Sequence, residues 1–318
     1  MLNRGEMMKQ KIVVVYNPES GRHNDKKFVK DVKKFLEERN FEVIFKPTRA
    51  KGDATNIIRD LDLENISLVL IAGGDGTLNE AVSGNVLRKE RLELAYLPFG
   101  TTNDVGHMYG LTKNYKKDLN LLVSGILKNI DICYVNKKPF VYVCCMGNFV
   151  NVSYETPRRL KKKYGKFAYI IYGLKQIKKS LKAYSLTYKV NGETHKGKYS
   201  FIFITNSSRI AGVNGIYNDV KLDDKMFEVA LCNIEKKQDI AKVLYEMTTM
   251  NMEEIPEIEY YKTDKVELIF DEVPDFSWCI DGEEYKEDTK KYIFTLDNDT
   301  KMLMPRKNLR KLFNEKKR

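Results

Sequence analysis

The chain has 318 residues, 42% of them hydrophobic, and a formal net charge of +11 at pH 7. That length and apolar content exclude a disordered chain and supply material for two packed cores. No apolar run reaches the ~20 residues of a membrane-spanning helix, and the first residues lack a secretory signal pattern. Residues before Lys9 read as a frayed leader. The five cysteines, at 133, 144, 145, 232 and 279, form no C-x-x-C pair. Such an odd, unpatterned set predicts reduced thiols in a cytoplasmic protein.

Residues 11–16 read as a buried first strand ending in Asn17-Pro18-Glu19-Ser20-Gly21, a turn of Asn, Pro, Ser and Gly. Phe28, Val32, Phe35 and Leu36 recur at helical spacing through Arg39. Residues 41–45 alternate towards a second strand that ends near Pro47-Thr48. Asp53 is placed as the N-cap of a helix carrying Ala54, Ile57, Ile58 and Leu61. Residues 66–72 are apolar and β-branched, the pattern of a strand buried on both faces. They stop at Gly73-Gly74-Asp75-Gly76, where glycines let the backbone approach a ligand, and Thr77, Leu78, Asn79 and Glu80 open a helix. A strand, a glycine turn and a helix N-terminus together make a phosphate cradle. Asp75 inside it would repel the anion unless a cation or a transferable proton lies between them, which points to Mg2+ or a hydroxyl. A bare Gly-Gly-Asp-Gly also occurs as a plain strand-ending turn. Residues 92–97 give a fourth strand, followed by Pro98-Phe99-Gly100-Thr101-Thr102-Asn103-Asp104. Strands alternating with helices predict a doubly wound α/β layer, whose ligands bind at strand carboxyl ends. The three polar turns are expected to converge there.

Beyond about residue 129 the pattern changes. Runs at 130–135, 140–146, 184–190, 199–204, 227–232, 258–261, 266–270, 277–280 and 292–296 read as strands, and Asn191-Gly192 is a hairpin signal. They predict an antiparallel β-sandwich or barrel with helical insertions near 164–182 and 236–250. The basic segment after Pro305 carries Leu309, Leu312 and Phe313 and reads as a terminal helix with an apolar stripe.

The positive charge is concentrated. Residues 158–182 hold ten Lys or Arg and no acid, which leaves the remaining chain near +1. Lysines gathered on one helix without a base-reading motif argue against nucleic acid as a partner.

Taken together, these motifs resemble the diacylglycerol kinase catalytic-domain family, which includes bacterial lipid kinases and is related to sphingosine kinases. The resemblance is carried by Asn17-Pro18-x-Ser20-Gly21, by the run at 73–80, and by Pro98-x-Gly100-Thr101-x-Asn103-Asp104. It continues through Leu222-Asp223-Asp224 and ends at Asp281-Gly282-Glu283. The glycine motif alone is shared with NAD kinases and phosphofructokinases. The second motif followed by a β domain ending in Asp-Gly-Glu is more specific.

The resemblance implies an N-terminal nucleotide-binding α/β domain of the NAD kinase and phosphofructokinase kind over 9–129. A C-terminal antiparallel β-sandwich over 130–304 would take the lipid, and the tail 305–318 would pack back on the first domain. ATP would lie against Asn17, Pro18, Glu19, Ser20, Gly21, Thr48, Gly73, Gly74, Asp75, Gly76, Thr77, Leu78, Asn79 and Thr101. Asp75 and Asp104 would organise a catalytic Mg2+, and Glu283 would be the general base. A second, structural Mg2+ would sit at the Lys221 carbonyl, the Asp224 carboxylate and the Met226 carbonyl. The implied reaction is phosphoryl transfer from ATP to the hydroxyl of a membrane lipid, diacylglycerol first. Phosphatidylglycerol and a long-chain base also offer such a hydroxyl, and a soluble-nucleotide kinase of the NAD kinase type is a more distant alternative. A non-catalytic nucleotide sensor or membrane tether is disfavoured, because Asp75, Asp104 and Glu283 are all retained. A homodimer is compatible with the sequence.

Each assignment has a plainer counterpart. Asp104 after Asn103 could cap the next helix, Asp223-Asp224 could be a surface turn, and Asp281-Gly282-Glu283 alone reads as a hairpin turn. The chain also departs from the family pattern twice. Lys225 replaces the usual glycine, and Val105 replaces a common aromatic. His23, His107 and His195 show no ligand spacing.

The basic insertion generates a test. Phe167, Ile170, Ile171, Leu174, Ile177 and Leu181 share one helical face, with Lys175, Lys178, Lys179 and Lys182 beside it and the basic run 158–163 before it. Each Lys or Arg near an anionic leaflet contributes about 1 kcal/mol, which places the chain peripherally on the inner membrane face. Changing Lys161, Lys162, Lys163, Lys178 and Lys179 to Glu is expected to abolish co-sedimentation with anionic vesicles, as high salt should. Activity on a short-chain, water-soluble analogue should survive.

Overall fold

Four consecutive apolar residues, Ile12, Val13, Val14 and Val15, make β1 (Lys11–Tyr16) a strand that only cover on both faces can satisfy, and all four are buried. The computed structural model describes residues 10–20, 25–147, 182–210, 212–234 and 239–314. The chain divides into two compact units. One holds the residues up to Ile130 with Asp299–Leu309, and the other holds Asp131–Asn298 with Arg310–Arg318.

In the first unit β2 (Glu42–Pro47), β1, β3 (Ile66–Gly73) and β4 (Leu94–Pro98) lie side by side in that order, all parallel. The strand order reverses between β1 and β3, the kind of switch point where doubly wound sheets bind ligands. Helices α1 (Asp25–Glu37), α2 (Asp53–Arg59), α3 (Asp75–Val86), α4 (Asp104–Met108) and α5 (Tyr115–Val123) complete the α/β alternation. The predicted stripe of α1 is present in Phe28, Val32 and Leu36, while Phe35 stays at the rim under the Arg39 guanidinium, 3.7 Å from its ring. Phe28 packs edge-on against Phe99 and Tyr115, with centroids 4.8 and 5.4 Å away, and so fixes the chain just beyond β4. A Cβ on Gly84 would fall 2.4 Å from the Thr55 carbonyl oxygen, so glycine is what lets α3 approach α2.

Asp53 is not the N-cap of α2. Gly52 holds that place at φ 89°, and the Asp53 carboxylate turns back to accept from the Arg49 and Ala50 amides at 2.7 and 3.1 Å. The cap comes from another helix. Glu80 of α3 accepts from Gly52 N–H at 2.8 Å and from Ala54 N–H at 3.3 Å.

The second unit is antiparallel. It is entered through β5 (Ile126–Val135) and continues through β6 (Lys138–Phe140), β7 (Val143–Gly147), β8 (Tyr184–Val190), β9 (Glu193–Tyr199) and β10 (Phe201–Thr205). A short hairpin of β11 (Arg209–Ile210) and β12 (Val213–Asn214) precedes β13 (Phe227–Cys232), β14 (Ile258–Thr263) and β15 (Val266–Phe270). The series ends with β16 (Trp278–Ile280), β17 (Glu283–Tyr285) and β18 (Lys291–Met304). One sheet runs β14-β13-β10-β7-β16-β17, and the start of β18 pairs with β15, which pairs with β8 and then β9. Leu186, Tyr188 and Val190 of β8 alternate into the core against Phe227, Val229 and Leu231 of β13. The opposite face of β13 is buried too, with Ala230 and Cys232 in a second cluster that includes Val243 of α6 (Asp239–Thr249). A strand covered twice is nearly all apolar, here interrupted only by the buried Glu228, which explains its clear sequence signal. Asn191 and Gly192 turn at φ 50° and 82° between β8 and β9, as the hairpin signal predicts. All five cysteines are buried free thiols.

Three expected strands differ. The run 140–146 is two strands, because the amides of Val141, Tyr142 and Val143 go to the Asp281 carboxylate at 2.5, 3.0 and 2.9 Å. The run 199–204 breaks at Ser200, whose hydroxyl donates to the Ile234 carbonyl at 3.0 Å. The run 292–296 extends to Met304, since β18 pairs with β15 at its start and parallel to β4 at Met302. The tail, expected to return whole to the first unit, is divided. Asn308 donates to the Met108 carbonyl at 2.9 Å in the first unit, whereas Leu222 N–H donates to the Leu312 carbonyl at 2.8 Å in the second. The basic insertion expected near 164–182 lies outside the described residues save Lys182. Among the described residues no helix is long and apolar enough to cross a membrane.

Asp281 is 3% exposed and answers three backbone donors at once. Asp281→Ala would leave those amides without it, and its unfolding free energy in urea should fall by about 3 kcal/mol or more.

Candidate active site

Three strand ends build the candidate site in the first unit. After β1, Asn17 N–H donates to the Ala72 carbonyl at 3.0 Å, and the Asn17 Oδ1 accepts from Glu19 N–H at 2.9 Å, closing a short turn over Asn17, Pro18, Glu19 and Ser20. Gly21 lies outside the described residues. Thr48, just after β2, donates its amide to the Tyr16 carbonyl at 2.8 Å and is 9% exposed.

After β3 comes the glycine turn. Gly73 pairs with Pro98, and Phe99 N–H donates to the Gly73 carbonyl at 2.7 Å, so the ends of β3 and β4 stay together. A Cβ on Gly73 would fall 2.5 Å from the Thr77 hydroxyl oxygen. One on Gly100 would fall 2.7 Å from the Gly74 Cα. Two backbones therefore pass each other where a side chain on Gly100 would intrude. Gly74 is the extended N-cap of α3, and no side chain occupies that cap. The helix thus offers its dipole and first amides at the turn.

The two turns are joined by a carboxylate. Asp75 Oδ2 accepts from Asp104 N–H at 2.8 Å. Asp75 Oδ1 accepts from the Tyr96 hydroxyl at 3.4 Å, and the same hydroxyl reaches the Gly73 carbonyl at 3.2 Å. Burial, then the Asp75 carboxylate, pushes the Tyr96 phenol well above its ordinary value, so it remains a donor. Asn103 holds the left-handed conformation at φ 52° before α4, donates to the Gly100 carbonyl at 2.9 Å, and buries its Oδ1 with no hydrogen-bond partner. Asp104 is 1% exposed.

Asp75 and Asp104 are thus brought together. Thr77 and Asn79 are buried one turn into α3, and Thr101 is exposed with its carbonyl held by the Lys113 ammonium at 2.8 Å. Leu78 is different. Its side chain is fully buried and its amide donates to the Gly74 carbonyl at 3.1 Å, so it anchors the helix rather than facing a ligand. Sequence reasoning missed Tyr96 and the capping role of Glu80. A lone phenol in the apolar strand Leu94–Pro98 was the available signal for Tyr96.

Mg2+ commonly takes one or two carboxylates plus phosphate oxygens, and Asp75 and Asp104 are the carboxylates that these two turns could offer it. Among the described residues no cluster of three or more His, Cys, Asp or Glu side chains is assembled, so a protein-only metal cage is not what this geometry offers.

In the second unit Glu283 opens β17 as an exposed side chain, directly after Asp281 and Gly282 at φ 45° and 100°. This is a hairpin turn whose Asp281 is structural. Asp224 pairs with the Lys262 ammonium at 2.8 Å and accepts from Met226 N–H at 3.1 Å. Nearby, burial pushes the Glu228 carboxyl up to about 8 and the Asp131 carboxyl up to about 7. Asp131 accepts from Lys225 N–H at 2.9 Å and from the Asn298 amide at 2.7 Å.

A sequence model of the Diacylglycerol kinase catalytic domain matches residues 11–135. A "Diacylglycerol kinase" of Staphylococcus aureus strain bovine RF122 / ET3-1 is 30% identical over 279 residues, covering 87% of each chain. A protein of the same name from Staphylococcus saprophyticus is 30% identical over 280 residues, covering 87% of this chain and 90% of its own. The fold matches the crystal structure of a diacylglycerol kinase from Bacillus anthracis str. Sterne with a TM-score of 0.72 at 17% identity, covering 94% of this chain and 98% of that one.

The close pass of Gly74 and Gly100 is testable. Gly100→Ala should raise the KM for ATP by about tenfold or more, because a displaced amide misaligns the phosphate, with a far-UV spectrum like wild type.

Proposed function

Because this chain belongs to the diacylglycerol kinase catalytic-domain family, we propose that it transfers the γ-phosphoryl group of ATP to the hydroxyl of a membrane lipid, diacylglycerol first, giving phosphatidic acid. Family membership makes it a phosphotransferase with an alcohol acceptor and implies ATP as the donor. The observation that carries the proposal is the joined pair of turns, with Gly74 against Gly100 and Asp75 on the Asp104 amide.

Phosphoryl transfer needs positioning and charge neutralisation more than covalent help from the protein. The turn Asn17–Ser20, the α3 N-terminus and Thr101 would hold the phosphates, while Thr48 and Asn79 border them. Mg2+ held by Asp75 and Asp104 would neutralise charge developing on the phosphate oxygens. The lipid hydroxyl oxygen attacks the γ-phosphorus, the bond to the β–γ bridging oxygen breaks, and ADP leaves. Glu283 takes the hydroxyl proton; its support is the Asp281-Gly282-Glu283 match and its exposure at a turn fixed by Asp281. Tyr96 holds Asp75 in orientation by its hydroxyl. The basic run 158–182 would keep the enzyme on an anionic membrane surface, where its acceptor resides.

The acceptor is tested by supplying radiolabelled ATP with diacylglycerol, phosphatidylglycerol, a long-chain base or NAD in mixed micelles. Label is expected chiefly in phosphatidic acid. Label in another lipid would replace the acceptor, and label in NAD alone would overturn the lipid-kinase reading. In the same assay Glu283→Gln should lower kcat by ~10²–10⁴ with little change in the KM for ATP, since the amide keeps the shape but cannot take a proton.

A further inference from the structure

Strands β13 and β14 set Glu228 and Lys262 directly opposite each other in the second unit. Glu228 is 1% exposed, and at that depth burial raises its carboxyl to about 8, so near neutral pH it faces Lys262 largely protonated. Lys262 Nζ lies 3.8 Å from Glu228 Oε1 and 2.8 Å from Asp224 Oδ2, and it donates to the Asp219 carbonyl at 3.0 Å. One ammonium therefore faces the Asp224 carboxylate, the Glu228 carboxyl group and a carbonyl, an all-oxygen set of the kind a hard metal ion takes.

That set overlaps the place where the resemblance puts a structural Mg2+, on Asp224 between the Lys221 and Met226 carbonyls. The residues do not fit the ion. One Asp224 oxygen is paired with the Lys262 ammonium, and the other accepts from Met226 N–H at 3.1 Å. A divalent ion on the same carboxylate would face the ammonium across a few ångströms of poorly screening interior. The turn is also held without a metal. Lys225 takes the left-handed conformation at φ 58°, and its amide is tied to Asp131 Oδ2 at 2.9 Å.

We infer that in this chain the Lys262 ammonium replaces the structural divalent ion, neutralising Asp224 and tying the turn around Asp219 and Asp224 to β14. A covalently carried cation cannot be chelated or diluted away, so the turn stays ordered at any Mg2+ concentration. The inference does not depend on which lipid is the acceptor.

The test is thermal unfolding of the purified full chain without nucleotide, in excess EDTA and in millimolar MgCl2. The wild-type midpoints should agree within about a degree, because an ion that does not bind there adds no stability. Lys262→Met removes the charge and keeps most of the side chain. Its midpoint in EDTA should fall by roughly 4 °C or more and should rise again with MgCl2, because Asp224 is then open to the ion. Adding Asp224→Asn should abolish that rescue. A wild-type midpoint that drops several degrees in EDTA, with Asp224→Asn removing the drop, overturns the inference. So does a Lys262→Met protein that shows no Mg2+ response. Should Lys262→Met fail to fold, Lys262→Arg, which keeps a cation, must fold and remain indifferent to EDTA; an EDTA-sensitive Lys262→Arg protein overturns the inference.

Discussion

Asp75 accepts the Asp104 amide at 2.8 Å, and the site depends on that contact. The hydrogen bond fixes the turn after β4 against the turn after β3. It thereby sets the separation of Gly74 and Gly100 and the direction in which α4 starts. A carboxylate in this place has two duties. It completes the N-terminus of α4, and it keeps negative charge beside the proposed phosphate cradle. The second duty would be unfavourable alone, and in the proposed mechanism a cation resolves it. Tyr96, buried beneath the turn, holds the other carboxylate oxygen and so limits the rotation of Asp75. Packing supports the arrangement from below, through Phe28, Phe99 and Tyr115.

Much of the first unit was legible because its signals are local. Ile12 to Val15 and the run before Gly73 are apolar without interruption, and a strand buried on both faces has no alternative composition. The glycine turn was legible for the same reason: only a residue without a Cβ fits at Gly100, where an added Cβ would fall 2.7 Å from the Gly74 Cα. Long-range partners were not legible. Nothing near residue 53 indicates that Glu80 caps α2, so Asp53 looked like the cap. Nothing near residues 141–143 indicates that Asp281, far along the chain, takes their amides and divides one apolar run into two strands. The long β18 was hidden by its polar middle, Asp297, Asn298 and Asp299, because it changes partners there instead of ending.

Lys225 departs from the family pattern at a left-handed turn, and the sequence alone leaves its consequence open. In the structure Lys262 of β14 stands opposite the buried Glu228. Lys262 gave no signal of its own in the sequence, since a lysine in a β-strand ordinarily faces water. Only strand register identifies its partners. Asp281 and Glu283 make a parallel case. A three-residue motif contains one side chain committed to the fold and another left exposed, and burial separates them where sequence could not.

The account's central claim is that Asp75 acts through its charge as well as its hydrogen bond. The most direct measurement is the kcat of Asp75→Asn with ATP and diacylglycerol in mixed micelles, alongside its thermal midpoint. Asparagine keeps an acceptor for the Asp104 amide but carries no charge for a cation. The account predicts a kcat loss of at least about 10²-fold with a midpoint close to that of the wild type. Near-normal turnover by the folded variant would contradict it.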